Sequence, residues 1–163
     1  MNPSKVTAVV AAGGESRLLA ATLKSLRAQT SPPRDVVVAP RSARDAAVAR
    51  ASTPYVFLLN AGDDPFPECL ERLSRALDNC DASFAYSYLR SGRGKRMELA
   101  NLSLREGAMV LWRRSAWKKT GGWGAQVPEI LGSCRAGPES SSRIRRPARY
   151  LRAARALLAE FGR

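Results

Sequence analysis

Histidine is absent from this chain of 163 residues. With it go imidazole acid–base catalysis, His-activated nucleophiles and His-ligated metals, so proton transfer falls to Asp, Glu, Lys, Tyr or Cys. Acidic residues are scarce as well: 14 Asp plus Glu stand against 27 Lys plus Arg, a formal net charge of +13. That excess favours anionic partners such as nucleotides, phospholipid head groups or nucleic acid. Much of it lies in the C-terminal third, so it does not by itself describe an active surface. The chain has no helix-turn-helix or zinc pattern, and its few aromatics do not interleave with the basic runs, so nucleic acid is not expected. No apolar run approaches the roughly 20 residues of a membrane span. The apolar stretch from Val6 to Ala12 is short and is followed by Gly13-Gly14-Glu15, unlike a secretory signal. The three cysteines, Cys69, Cys80 and Cys134, lack metal-ligand spacing, and their odd number fits reduced thiols. The expected setting is cytoplasmic, at most peripheral to the inner membrane.

What is present is globular, with 45% hydrophobic residues, and the length favours one domain with one core. Val6 to Ala12 reads as a first strand, and Gly13-Gly14 as a turn into a helix carrying Leu18, Leu19, Thr22, Leu23 and Leu26 on one face. Asp35 to Ala39 reads as a second strand, and Ala43 to Ala51 as an alanine-rich helix stopped by Thr53-Pro54. Tyr55-Val56-Phe57-Leu58-Leu59 is an unbroken apolar run, as in a strand buried on both faces, and Leu70, Leu73 and Leu77 then recur at helical spacing. Strands and helices in this alternation predict an α/β fold with a mostly parallel, doubly wound sheet in three layers. Further strands are expected over Asp81–Leu89, Met97–Leu104 and Ala108–Trp112, with a short helix over Arg113–Thr120. The segment from Gly124 to Ser142 reads as loop.

Asn60-Ala61-Gly62-Asp63-Asp64 follows the apolar run directly. Carboxylates on a loop past the carboxyl end of a buried strand stand where open α/β sheets bind ligands, and a divalent cation would use their oxygens. The same pentapeptide also reads as a solvated turn with a helix cap.

In order and spacing, these segments resemble family 2 glycosyltransferases, sugar transferases of GT-A fold. Leu23 to Thr30 is similar to the family's TL-SL-AQT helix, and Ala43 to Ala49 to its ARNxGxxxA helix. Leu59 to Leu70 resembles LDADDxxxPxxLE, and Gly107 to Trp123 the strand–helix–GGF segment on the acceptor side. The resemblance implies a GT-A-like domain that binds a nucleotide-diphosphate sugar and transfers the sugar to an acceptor. It places nucleotide and donor against Ala11, Gly13, Arg17, Arg41, Arg44, Asp45, Asn60 and Gly62, a Mn or Mg ion on Asp63 and Asp64, and the acceptor against Gly121, Gly122 and Trp123. Three departures stand out. Ala39-Pro40-Arg41-Ser42 replaces the acidic end of the second strand, and Asn60 and Gly62 replace the first two carboxylates of the metal motif. The catalytic base has no clear counterpart, Glu129 being the nearest. Arg17, Arg41 and Arg44 are then a phosphate clamp that partly replaces the cation, or ordinary surface arginines.

A second resemblance competes. Ala11 to Leu18 is similar to the AAGGxxxRL phosphate loop of nucleotidyltransferases, and Asp63-Asp64-Pro65-Phe66 to their DxPF metal site. The lysine that follows such loops is missing, since Lys24 lies before Ser25. A catalytically inactive nucleotide-sugar-binding remnant is the third alternative. The chain thus divides into a domain at 1–124, a Gly/Pro/Ser-rich linker at 125–142, and a basic amphipathic helix at 143–163. That helix carries Leu151, Ala154, Leu157, Leu158 and Phe161 on one side, to dock on the domain or to lie on an anionic membrane.

Overall fold

The computed structural model describes residues 4–13, 16–91, 99–100, 109–117 and 124–134. Its central strand, β3 (Tyr55–Asn60), is buried at every residue except Asn60, which is half-buried. Successive side chains of a strand point to opposite faces. Tyr55, Phe57 and Leu59 accordingly join one core cluster with Val10, Leu26, Leu70, Leu73 and Leu77, while Val56 and Leu58 join another with Val9, Ala47 and Val48. Apolar cover on both faces is why the run alternates with nothing polar.

The first cluster is roofed by α1 (Ser16–Arg27) and α3 (Cys69–Asp78), the second by α2 (Arg44–Arg50). β1 (Val6–Ala12) lies between β2 (Asp35–Pro40) and β3 and is parallel to both. Two short β4 residues (Asp64–Pro65) follow β3, and then come β5 (Phe84–Ser91), β6 (Leu99–Ala100), β7 (Val110–Arg113) and β8 (Gly124–Cys134). The eight-stranded sheet runs β2-β1-β3-β7-β5-β8-β4, with β6 on β5. The α/β class holds, but the sheet is mixed. Parallel pairing is confined to β2–β1–β3 and β5–β8, whereas β7 is antiparallel to both of its neighbours. Crossover helices explain the first group: α1 joins β1 to β2 and α2 joins β2 to β3. Strand direction beyond them depends on long-range pairing that local periodicity does not carry.

Two sequence expectations are corrected. Residues 124–134, read as loop and linker, form β8, so the sheet continues past 124. Ala125, Val127 and Leu131 are buried on it, while Pro128 and Glu129 fall where the register with β5 shifts. Such an irregularity tolerates a residue without an N–H, and the proline disguised the strand. Of the helix expected over Arg113–Thr120, the described residues place Arg113 at the end of β7 and Arg114–Ala116 in a 3-10 turn. Residues 118–123, and with them Gly121, Gly122 and Trp123, lie outside the described residues, as do 135–163. Among the described residues no helix is long and apolar enough to cross a membrane.

Arg113 does structural work at the amino end of β3. Its Nη2 donates to the Leu77 and Cys80 carbonyls, both at 2.6 Å, and its Nε to the Ala82 carbonyl at 2.8 Å, closing the carboxyl end of α3. The guanidinium also lies 5.6 Å from the Tyr55 ring centroid, and the Tyr55 hydroxyl donates to Asp78 at 2.6 Å. Arg113→Met removes every one of these donors while keeping the aliphatic stem. It is expected to lower stability by about 2 kcal/mol in urea unfolding.

Candidate functional site

The carboxyl ends of three parallel strands meet in register, Ala11 beside Asn60 and Ala12 beside Pro40. This brings Gly13, the Arg41–Ala43 turn, Arg44 and the loop 60–63 to one end of the sheet. The loop is tightly made. Asp63 N–H donates to the Asn60 carbonyl at 3.0 Å, and Asp63 Oδ2 accepts from Asn60 N–H at 2.7 Å. Ala61 N–H donates to the Ala11 carbonyl at 3.0 Å, tying the loop to β1. Gly62 takes φ of 101°, a left-handed conformation that side chains resist, which is why glycine stands there.

The loop is also pinned to α1. Thr22, fully buried, accepts from Gly62 N–H at 2.9 Å and donates to the Asp63 carbonyl at 2.8 Å. Sequence reasoning placed Thr22 on the packing face of α1 and missed this role. The signal was a lone hydroxyl among leucines.

Asp63 is only 4% exposed. Burial pushes its carboxyl up from an ordinary 3.8 to about 6, against the opposing pull of the Asn60 N–H and of the Arg44 and Arg41 charges. Asp64, in contrast, is exposed, and its backbone pairs with Ser133 of β8. The approach is close: a Cβ at Gly132 would stand 2.9 Å from the Asp64 carbonyl oxygen and against Met109. Met109 itself holds φ of 50° while fully buried, a strained conformation for a bulky residue at this end of β7.

Arg44, the first residue of α2, is 9% exposed and donates from Nη2 to Asn60 Oδ1 at 3.1 Å. Arg41 follows β2 directly, is exposed, and its charge is felt at Asp63. Arg17 is exposed on the first turn of α1. Ala11 is buried and serves through its carbonyl, and a Cβ at Gly13 would meet nothing within 4 Å. Asp45 is engaged elsewhere: Trp117 Nε1 donates to its Oδ1 at 2.9 Å. Glu129 forms an exposed ion pair with Arg72 of α3, at 3.7 Å. The structure therefore assembles Arg41, Arg44, Asn60, Gly62 and Asp63, and sets Asp45 and Glu129 against other partners.

The donor chemistry argues against a resident divalent ion. Asp63 Oδ2 accepts an N–H and Asn60 Oδ1 a guanidinium, so the loop offers few uncommitted oxygens, and an ion there would take most of its shell from water and substrate phosphates. Asp63 and Asp64 are adjacent but differently placed, one buried and one exposed. Among the described residues no group of three or more Asp, Glu, Cys or His side chains is positioned to hold a metal.

No family model and no curated protein matches this sequence. Solved structures match its fold. Residues 1–349 of TarS from S. aureus, in complex with UDP-GlcNAc, superpose with a TM-score of 0.62 at 13% identity, covering 95% of this chain and 66% of that one. The mannosyltransferase PcManGT from Pyrobaculum calidifontis, in complex with GDP-Man and Mn2+, gives a TM-score of 0.59 at 12% identity, covering 86% of this chain and 60% of that one. This chain thus spans less than two thirds of the length of either. The fold is GT-A-like, an α/β architecture shared with these nucleotide-sugar complexes; at such identities the likeness is one of fold.

Proposed function

We propose that this chain is a glycosyltransferase-like domain, of the family 2 type, that binds a nucleotide-diphosphate sugar at the carboxyl ends of β1, β2 and β3. The observation that carries the reading is the junction of Arg41, Arg44, Asn60 and Asp63 at that end of a GT-A-like sheet. Open α/β sheets bind ligands there, and the two arginines supply charge for a diphosphate. Arg17 extends the same positive edge, and Gly13 lets backbone and ligand approach closely. In transfer, an acceptor oxygen bonds to the anomeric carbon as the bond to the nucleoside diphosphate breaks, and the acceptor's proton passes to a base. The acceptor-side role of Gly121, Gly122 and Trp123 belongs to this proposal, as does Asp64 at the loop's exposed edge. Glu129 is the weakest member, being paired with Arg72. That pairing favours a second reading, a domain that binds the nucleotide sugar without transferring it.

Calorimetric titration of the full chain with UDP, GDP, CTP and ATP tests the proposal. UDP or GDP is expected to bind in preference to both triphosphates, and Arg41→Gln to weaken that binding about tenfold. Preference for a triphosphate, lost in Arg17→Ala, would instead favour the nucleotidyltransferase. Failure to bind any of the four would overturn the nucleotide-sugar reading. Turnover of UDP-GlcNAc or GDP-Man to the free nucleoside diphosphate separates transferase from binding domain.

A further inference from the structure

We infer that this crevice holds the diphosphate of its nucleotide without a divalent cation, the charge being met by Arg44 and by the side-chain amide of Asn60. The inference rests on the nucleotide-sugar reading above and deepens it. Its starting point is a reversal of donor chemistry at the end of β3. Asn60 and Gly62 stand where carboxylates would gather a cation, and neither carries a charge.

A guanidinium has donors only, so the 3.1 Å contact fixes the oxygen of the Asn60 amide on the Arg44 side. The amide nitrogen is thereby turned the other way, and none of the described residues accepts from it. Nδ2 and the Arg44 guanidinium are both donors, one neutral and one cationic. Each attracts a phosphate oxygen and neither offers a lone pair to a metal ion. Arg44 is 9% exposed, and screening by water is weak at such a site. Its backbone is fixed at the start of α2 and its side chain by Asn60, so the charge is oriented before a ligand arrives. Arg41 adds a second cation on the neighbouring strand end. The carboxylate of Asp63 has one oxygen occupied by the Asn60 N–H, which turns it into the loop.

The test is titration of the full chain with UDP and with GDP, each in EDTA and in Mn2+, for wild type, Arg44→Gln and Asn60→Asp, all checked for folding by circular dichroism. Wild type is expected to bind in EDTA, with Mn2+ changing Kd less than about threefold, and Arg44→Gln to weaken that binding at least about tenfold. Asn60→Asp restores a carboxylate beside the diphosphate. It is expected to weaken binding in EDTA about tenfold and to recover in Mn2+. If Arg44→Gln fails to fold, Asn60→Asp decides alone. Wild-type binding seen only with Mn2+, or an Asn60→Asp variant that binds as wild type does in EDTA, would overturn the inference and leave the nucleotide-sugar reading standing. Absence of binding to either nucleotide under both conditions would overturn both.

Discussion

Replacing Gln29 by leucine is expected to cost about 3 kcal/mol of unfolding free energy, although the residue touches no part of the crevice. Gln29 is buried just past the end of α1. Its Nε2 donates to the carbonyls of Ser25, Pro65 and Phe66, at 3.2, 3.1 and 2.8 Å, and its Oε1 accepts from Leu70 N–H at 3.0 Å. One amide thus ties the end of α1 to the segment after the crevice loop and to the first turn of α3. Leucine fills much of the volume but satisfies none of these groups, and a buried carbonyl or N–H left without a partner costs about 1–3 kcal/mol. Glutamate serves as the diagnostic variant. It retains an acceptor for Leu70 N–H but faces carbonyls with a charge, so it should be at least as damaging as leucine. Urea unfolding with an unchanged m-value checks the result, and a loss below about 1 kcal/mol for Gln29→Leu would show that water replaces the amide.

The second large effect is a dependence on pH, and its sign is opposite to that of most carboxylates. The folded chain holds the Asp63 proton up to about pH 6, whereas an ordinary carboxyl releases it near 3.8. Between those values the folded state binds more protons than the unfolded state, so stability falls as pH rises through this window and is level above it. The ionised form costs up to about 3 kcal/mol at neutral pH. Asp63→Asn never ionises and can still accept the Asn60 N–H. It should therefore remove the decline and exceed wild type by about 1–2 kcal/mol at pH 7.5. Asp78 behaves in the usual way. The Tyr55 hydroxyl, with help from Lys5 and Arg113, holds its carboxyl below the ordinary value, so its contribution is present at neutral pH and lost on acidification. Unfolding curves at pH 4, 5, 6 and 7.5 separate the two. An Asp63→Asn protein with the wild-type slope between pH 4 and 6 would refute the assignment to Asp63.

Much of the amino-terminal half was legible in the sequence, because its information is local. The apolar run of β3, the leucine spacing of α3 and the alanine-rich α2 each declare their periodicity within a few residues of chain. The placement of the loop 60–63 at the carboxyl ends of the parallel strands followed from the same pattern, since it comes directly after a doubly covered strand. Its chemistry did not follow. That Arg44 would meet Asn60, that Trp117 would engage Asp45, and that Arg72 would hold Glu129 are pairings between distant positions. They are set by packing rather than by spacing along the chain. β8 was hidden by Pro128, whose missing N–H argues against a strand except where the ladder is already irregular. Gln29 lay inside a quoted motif, yet its importance arises from carbonyls at Pro65 and Phe66 that only the fold brings near.

The Thr22 hydroxyl has a consequence for motion. Because it both receives the Gly62 amide and binds the Asp63 carbonyl, the loop cannot swing out alone without breaking two hydrogen bonds to α1, one buried and one partly buried. Opening of the loop is thereby coupled to α1, and opening α1 uncovers Leu26 and the core beneath it. Amide exchange at Gly62 is thus linked to α1, not to the fast fraying usual for surface loops.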